Sequence, residues 1–293
     1  MNRASIAGIT IDYTGIDGSY LIPRLSAYGS TGSRTDMKLR TIVCDELDEP
    51  QGTYVEQVNA ATIIRIGAGK FCRYLRDQET GKLAAAFFYN RDYSEVEIRL
   101  WKGRKHPLFT LADFEYMYTG FAFCDRLTEL GGVVLHGSAI AMNKRGIIFS
   151  ANSGTGKSTH TQLWKERFGE AVTIVNDDKP AIRFDDGFPH CYGTPWSGKT
   201  ALNENVRVPL HAIVFIHRAE SNRIERLTVK ESLFHLTGQI ARPYYDSGLG
   251  MKTLDRIERL IATVPIYRLH CSISQEAVDA AFNEIMEKAG KLE

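Results

Sequence analysis

Short stretches of alternating apolar and polar residues fill the first hundred positions, and this period of two predicts β-strands. The segment 95–101 shows the pattern most clearly, with Val96, Ile98 and Leu100 on one face and charged residues between them. Turn-forming residues separate the segments, for example around Pro50 and Gly52. The predicted strands are 6–13, 38–43, 62–66, 83–89 and 95–101.

The apolar period changes after residue 107. Thr110 and Asp113 have the spacing of a capping box, which predicts a helix that runs to about residue 130 and ends at Gly131. Strands and helices alternate from there on, which is typical of an α/β fold. We therefore predict a β-rich N-terminal domain over 1–107 and an α/β domain over 108–293.

Two predicted helices carry apolar side chains that need separate interpretation. The aromatic residues of the first are Phe114, Tyr118, Phe121 and Phe123. We expect them to bury the helix against a sheet, although lining a ligand is the alternative. The last helix, over 275–288, presents an apolar face and is interpreted as purely structural.

Composition limits the classes of function. The 293 residues are 43% hydrophobic, as in ordinary globular proteins, and 36 Lys and Arg balance 35 Asp and Glu. This balance lacks the basic excess of nucleic-acid-binding proteins. The five cysteines form no C-x-x-C pair, and no apolar run reaches the length of a signal peptide or a membrane span. We expect a cytoplasmic protein with neither nucleic acid nor membrane as a partner.

A phosphate-binding motif follows a short apolar strand over 147–149. A preceding strand over 132–142 and a turn at Arg145 and Gly146 lead into it. The motif is Ala-Asn-Ser-Gly-Thr-Gly-Lys-Ser at 151–158, a P-loop pattern with alanine in place of the first glycine. Its glycines allow backbone amides to surround a phosphate, and a helix over 158–168 directs its positive end there. The predicted nucleotide contacts are Asn152, Ser153, Gly154, Thr155, Gly156, Lys157, Ser158 and Thr159.

Two adjacent carboxylates follow the next predicted strand, over 171–175. A right-handed crossover places this strand beside the P-loop strand, with both carboxyl ends at one edge of the sheet. Asp177 and Asp178 can then divide two tasks, one holding Mg²⁺ and the other accepting a proton. The alternative is that one of them only caps the turn before Pro180. His136 precedes the P-loop by 15 positions and is either a core histidine or part of the same site.

Together, these segments resemble the HPr kinase/phosphorylase and phosphoenolpyruvate carboxykinase superfamily, and most of all the HPr-kinase-related proteins. The resemblance rests on His-Gly-Ser-Ala at 136–139, Ser-Gly-Thr-Gly-Lys-Ser at 153–158 and the pair Asp177 and Asp178. It implies a P-loop core with a mixed sheet. It also implies that Lys157 is catalytic and contacts phosphate, that His136 belongs to the active site, and that Ser158, Asp178 and His136 are metal ligands. Asp177 is assigned as the base, with the reverse order of the two aspartates left open.

The chain departs from this pattern in two places. HPr kinases usually carry an acidic residue soon after the P-loop serine, whereas Thr159 and His160 stand here. Their N-terminal domain is α/β, whereas 1–107 is predicted to be β-rich. Carboxykinases are much longer chains.

A loop over 193–199 and two arginines supply further candidates. Lys199 is predicted to stabilise transferred charge, and Trp196 either contacts a ligand or is buried. Arg218, at a strand end, either serves phosphate or is simply exposed, and Arg242 opens a basic and aromatic cluster.

The leading hypothesis is an ATP-dependent kinase that uses Mg²⁺ and transfers the γ-phosphate to a hydroxyl. The acceptor is expected to be a serine of a protein or peptide, or a small molecule. The alternatives are a carboxykinase-like lyase, with Lys199, Arg218 and Arg242 binding an acidic metabolite, and a nucleotide-binding module without transfer chemistry. The identity of the acceptor and the oligomeric state, homo-oligomer included, stay open.

Overall fold

A computed structural model describes residues 2–241 and 246–288 of the chain. The chain divides into two compact units, each with its own mixed sheet. The first comprises residues 1–130 and 242–250, and the second comprises 131–241 and 251–293. The fold is therefore mixed α/β.

The first unit is built on an eight-stranded sheet in the described residues, with the order β1-β2-β3-β8-β7-β6-β5-β4. Strands β2, β3 and β8 are mutually parallel, and the other neighbours are antiparallel. The strands are β1 (Asn2–Ile6), β2 (Ile9–Thr14), β3 (Met37–Cys44), β4 (Thr53–Val58), β5 (Ala61–Gly67), β6 (Lys70–Arg76), β7 (Leu83–Asn90) and β8 (Glu95–Trp101). A short helix α1 (Leu21–Leu25) and a 3-10 turn (Ser26–Tyr28) follow β2.

The strands predicted at 38–43, 62–66, 83–89 and 95–101 are confirmed as β3, β5, β7 and β8. The single strand predicted over 6–13 is wrong, because the chain reverses there and forms the hairpin β1–β2. Ala7 and Gly8 form its turn, with φ angles of 49° and 71°. Alanine rarely adopts a positive φ, so its place in a tight turn is not apparent from the sequence.

Helix α2 (Leu111–Glu129) belongs to the first unit, which moves the division between the units from the predicted residue 108 to residue 131. The helix packs on β3 and β8. Its capping box is confirmed, since Thr110 Oγ1 accepts from the Asp113 amide and the Asp113 carboxylate accepts from the Thr110 amide. Burial of the helix through Phe114 and Phe123 is also confirmed, whereas Phe121 is exposed.

The second unit contains the remaining elements, and α5 enters it at residue 251. The helices are α3 (Lys157–Phe168), α4 (Val229–Gln239), α5 (Ser247–Thr263) and α6 (Gln275–Phe282), with a 3-10 turn (Gly169–Ala171) after α3 and a π-helical turn (Asn283–Lys288) after α6. The strands are β9 (Gly132–Val134), β10 (Gly137–Met142), β11 (Arg145–Ser150), β12 (Val172–Asn176), β13 (Ala181–Asp185), β14 (Phe188–Tyr192), β15 (Arg207–Arg218), β16 (Arg223–Arg226) and β17 (Ile266–Cys271).

Strand β15 organises the sheet of this unit. Its carboxyl half runs parallel to β11 on one side and to β17 on the other, while its first residues pair with β14. Both faces of β15 are covered. Val214 packs in a core with Trp164 of α3 and Val278 of α6, and Phe215 packs in a second core with Leu236 of α4. Burial on both faces explains why β15 has an almost continuous apolar sequence.

Two sequence predictions near the glycine-rich motif are corrected. The strand predicted over 132–142 breaks at Leu135 and His136, because β9 pairs with β13 and β10 pairs with β11 and β12. The turn between β10 and β11 is formed by Asn143 and Lys144, not by Arg145 and Gly146. Both turn residues have a positive φ, which is the geometry of a type I′ hairpin.

The described part of the chain contains no helix with the length and apolar character that crossing a membrane requires.

Candidate functional site

The ends of three neighbouring strands meet at one edge of the second sheet. Gly137 at the start of β10 pairs with Ser150 at the end of β11, and Ala139 pairs with Asn176 at the end of β12. The prediction that the ends of β11 and β12 share an edge is confirmed. The prediction that these two strands are adjacent is wrong, because the tight β10–β11 hairpin places β10 between them.

The glycine-rich loop, residues 151–156, joins the end of β11 to α3. Gly154 and Gly156 have φ angles of 76° and 121°, and a Cβ added at either position would meet nothing within 4 Å. Conformation rather than packing therefore demands glycine there. Helix α3 begins at Lys157, so its unpaired first amides point toward the loop.

Lys157 is buried at the base of the glycine-rich loop. Its Nζ donates to the carbonyl oxygens of Ala151, at 3.0 Å, and Asn152, at 3.3 Å. Burial lowers the pKa of the Lys157 ammonium, and the carboxylates of Asp178 and Asp177 oppose this effect. The ammonium thus lies in the electrostatic field of both aspartates.

Asp177 is buried, and hydroxyl groups contact both of its carboxylate oxygens. Ser138 donates to Oδ1 at 2.7 Å, and Thr200 donates to Oδ2 at 3.1 Å. Ser138 is also 2.8 Å from the hydroxyl of Thr161, one turn into α3. These three hydroxyls were not predicted from the sequence, because Thr200 reaches Asp177, and Thr161 reaches Ser138, only through the tertiary fold.

Asp178 is more accessible than Asp177 and lies between two basic side chains. Its Oδ1 is 3.4 Å from His136 Nε2, and its Oδ2 forms an ion pair with Lys179. The turn after β12 is capped by Asn176, whose Oδ1 accepts from the amides of residues 178 and 179. Neither aspartate carboxylate is therefore needed as the cap, which removes the alternative explanation for one of them.

His136 reaches the site because the next residue is glycine. A Cβ at Gly137 would lie 2.8 Å from both Ile148 and the carbonyl oxygen of Phe149, so only glycine allows this approach to β11. Burial lowers the pKa of the imidazole, as does the charge of Lys157, while Asp178 opposes both. The ring is half-buried among polar groups, which does not fit the interpretation as a core histidine.

Two residues hold the glycine-rich loop from outside: Arg218, which the sequence indicated only as an alternative phosphate or acid ligand, and Gln239, which it did not identify. Arg218, at the end of β15, donates from Nη2 to the carbonyl oxygen of Gly154 at 2.5 Å and from Nε to that of Thr155 at 2.9 Å. Gln239, the last residue of α4, donates to Asn152 Oδ1 at 2.8 Å. A position just after a buried strand was the only sequence signal for Arg218, and nothing in the sequence marked Gln239.

The loop over 193–200 contributes Thr200 to the site, whereas the sequence predicted Lys199. Trp196 is buried, in agreement with the structural interpretation. Lys199 is exposed and makes no hydrogen bond or ion pair with the described residues, whereas its neighbour Thr200 reaches Asp177. Arg242 lies outside the described residues. The other predicted contacts, Ser153, Ser158 and Thr159, are exposed at the loop and at the start of α3.

Potential metal ligands at this edge are few. Within the described ranges, no group of three or more His, Cys, Asp and Glu side chains is arranged to hold a metal ion. The predicted oxygen ligands are the exposed hydroxyl of Ser158, at the start of α3, and the carboxylate of Asp178. One carboxylate and one hydroxyl resemble the protein share of a Mg²⁺ site that is completed by phosphate and water oxygens.

Comparison with known proteins adds little to this geometry. No protein-family model matches the chain, and no curated protein matches it. Among solved structures, the chain is similar to the HPr(Ser) kinase/phosphatase from Coxiella burnetii, with 12% sequence identity over 53% of this chain and 99% of that one. The TM-score is 0.26, too low to establish a common fold. Function is therefore argued from the residues themselves.

Proposed function

We propose that this protein is an ATP-dependent phosphotransferase that moves the γ-phosphate of ATP to a hydroxyl group. The observation that carries the proposal is the meeting of Lys157, Asp177, Asp178 and His136 at the edge where the glycine-rich loop opens. Loop amides, a lysine and a helix amino terminus are the groups that bind phosphate in nucleotide-binding proteins. The aspartate pair beside them can supply a general base and a metal ligand, which phosphate transfer requires in addition to phosphate binding.

The residues divide the work as follows. The loop amides over 152–156 and Lys157 bind the phosphates, and the charge of Lys157 stabilises the equatorial oxygens as the γ-phosphate leaves ADP. Asp177 accepts the proton of the attacking hydroxyl. Ser138 and Thr200 hold its carboxylate in one orientation for this step. The exposed side chains of Ser153 and Thr159 flank the nucleotide.

The donor set at the loop fits Mg²⁺ shared with the nucleotide. Ser158 and Asp178 would hold the ion, and His136, whose Nε2 lies 3.4 Å from Asp178 Oδ1, is the third proposed ligand. When bound, Mg²⁺ neutralises charge on the β- and γ-phosphates. In this assignment Asp178 is the metal ligand and Asp177 the base. Their different exposures support this order, because Asp177 is buried under hydroxyls and Asp178, although paired with Lys179, is the more accessible of the two.

The acceptor is proposed to be a serine of a protein or peptide, or a small alcohol. The lyase alternative has less support, since it needs free cations to bind an acidic metabolite. Of the three cations named for that pocket, Arg218 already binds carbonyl oxygens of the loop and Arg242 lies outside the described residues, which leaves Lys199 alone. A protein that only binds nucleotide would not require a buried carboxylate held by two hydroxyls, as Asp177 is.

Phosphate transfer from γ-labelled ATP to cell extract tests this proposal. Wild type is expected to label a discrete acceptor, and Lys157→Ala is expected to reduce the labelling rate by about a thousandfold or more. The control is Lys230→Ala, which removes an exposed lysine from the first turn of α4 and should leave labelling unchanged. Equal labelling by Lys157→Ala, or ATP binding without any labelled acceptor, would contradict the proposal.

A further inference from the structure

Gln239 contacts both the glycine-rich loop and His136. Its side-chain Nε2 donates to Asn152 Oδ1 of the glycine-rich loop at 2.8 Å, and its Oε1 lies 3.1 Å from His136 Nδ1. Its main-chain carbonyl also accepts from the His136 amide at 2.9 Å.

The chemistry of an amide fixes the direction of these bonds. One end of a side-chain amide only donates and the other only accepts. Because the NH₂ of Gln239 donates to Asn152, the oxygen faces His136, and Nδ1 of the imidazole must then carry the hydrogen. Nε2 of a neutral ring is left with its lone pair, and this atom is 3.4 Å from Asp178 Oδ1.

We infer that Gln239 is a positioning residue that holds His136 as the Nδ1–H tautomer and couples this histidine to the glycine-rich loop through Asn152. His136 therefore presents a lone pair, not a donor, to the gap beside Asp178. Two acceptors facing one gap select a cation or a hydroxyl donor as its occupant. The significance of this arrangement for transfer rests on the proposed function, but the tautomer itself does not.

The tautomer is measured by long-range ¹⁵N–¹H correlation NMR of the full chain labelled at its histidines, without nucleotide, at mildly alkaline pH. The spectrum of His136→Gln assigns the signals of His136. Wild type is expected to show a pyrrole-type Nδ1 and a pyridine-type Nε2. The Nε2–H form in wild type would overturn the inference.

Matched variants separate the two contacts of Gln239. Gln239→Glu keeps an acceptor for Nδ1–H and should keep the tautomer, while it loses the donor to Asn152. Gln239→Leu loses both contacts and should give mixed tautomers or the Nε2–H form. Asn152→Asp keeps the acceptor for the Gln239 amide and should keep the wild-type tautomer of His136. A wild-type tautomer in Gln239→Leu would overturn the inference, and thermal unfolding shows that each variant is folded.

Kinetics give a second measurement. Gln239→Leu is expected to lower kcat about tenfold to a hundredfold, the usual effect of removing a residue that orients an active-site histidine. Gln239→Glu should mainly raise the KM for ATP, because its charge lies next to the loop. If no acceptor is labelled but the tautomer is Nδ1–H, only the proposed function fails. If transfer occurs and the tautomer is Nε2–H, only the role of Gln239 fails.

Discussion

Arg218 shows how a single side chain outside the loop can prepare it for a ligand. Its guanidinium donates to two consecutive carbonyl oxygens, and this restrains the orientation of both peptide units of the loop. The side chain is exposed, so the contribution of each hydrogen bond is modest. Arg218 therefore acts on the conformation of the loop rather than on the chemistry.

Replacing Arg218 is expected to weaken nucleotide binding. Arg218→Ala should raise the Kd for ATP about tenfold, equivalent to about 1.4 kcal/mol. Without Arg218, part of the binding free energy is consumed in ordering the loop. Arg218→Lys should lie between this variant and wild type, since lysine cannot reproduce the planar fork. Isothermal titration calorimetry measures the Kd, with Arg226→Ala of β16 as the exposed control. Unchanged affinity in Arg218→Ala would contradict the role given to this residue.

His160 provides a pH test of the core behind the site. It is buried, accepts a hydrogen bond from Trp164 Nε1 at 3.1 Å, and burial lowers its pKa from 6.5 to about 4. The unfolded chain therefore binds more protons than the folded chain between these values. Stability is present above pH 6.5 and is lost as the pH falls toward 4.

The expected loss from His160 is about 3 kcal/mol, from about 1.36 kcal/mol per pKa unit. Urea unfolding at several pH values measures it. The variant His160→Gln keeps an acceptor for Trp164 but cannot titrate, so its free energy of unfolding should fall less steeply over the same range. Parallel curves for the two proteins would show that His160 does not contribute this dependence.

At the scale of elements, the β10–β11 hairpin determines where the site residues lie. Its two-residue turn forces β10 back alongside β11, so the start of β10 lies between the loop and the aspartate pair. His136 and Ser138 consequently contact Asp178 and Asp177. Strand β10 thus supplies Ser138 to the site, and the residue just before it supplies His136.

The turn of this hairpin contains a residue that can be improved. Lys144 has a φ of 61°, which costs a non-glycine residue about 1 kcal/mol or more. Lys144→Gly should raise the free energy of unfolding by about 0.5 kcal/mol, since part of the gain is offset by the entropy of glycine in the unfolded chain. Urea unfolding measures the change. Glycine introduced into a helix, as in Glu258→Gly of α5, should instead lower the free energy of unfolding by about 1 kcal/mol.

Elements whose signals are local were predictable from the sequence. The capping box before α2, the glycines around Lys157 and the alternation in β8 each depend on residues close together in the chain. Strand order could not be predicted in the same way. The placement of β10 depends on a turn at Asn143 and Lys144 that carries no glycine, and the contact of Thr200 with Asp177 depends on the path of a long loop.

At the scale of the whole molecule, all the groups of the proposed site belong to the second unit. The start of α3 supplies Lys157, the segments next to β10 and β12 supply His136 and the aspartate pair, α4 supplies Gln239 and β15 supplies Arg218. The first unit has its own sheet, and helix α2 is buried on it by Phe114 and Phe123. The boundary was predicted too early because α2 follows the strands of that sheet without a distinct linker.

The central claim is that the loop around Lys157 and the carboxylate of Asp178 act on the same triphosphate. Calorimetry of ATP binding with and without Mg²⁺ tests it most directly in wild type and Asp178→Asn, with Asp186→Asn in the exposed β13–β14 turn as the control. The account predicts that Mg²⁺ tightens ATP binding in wild type and in the control. In Asp178→Asn, it predicts that the tightening of ATP binding by Mg²⁺ is about tenfold smaller than in wild type. The affinity of this variant for ATP without Mg²⁺ should equal or exceed that of wild type. An undiminished Mg²⁺ effect in Asp178→Asn would contradict the claim.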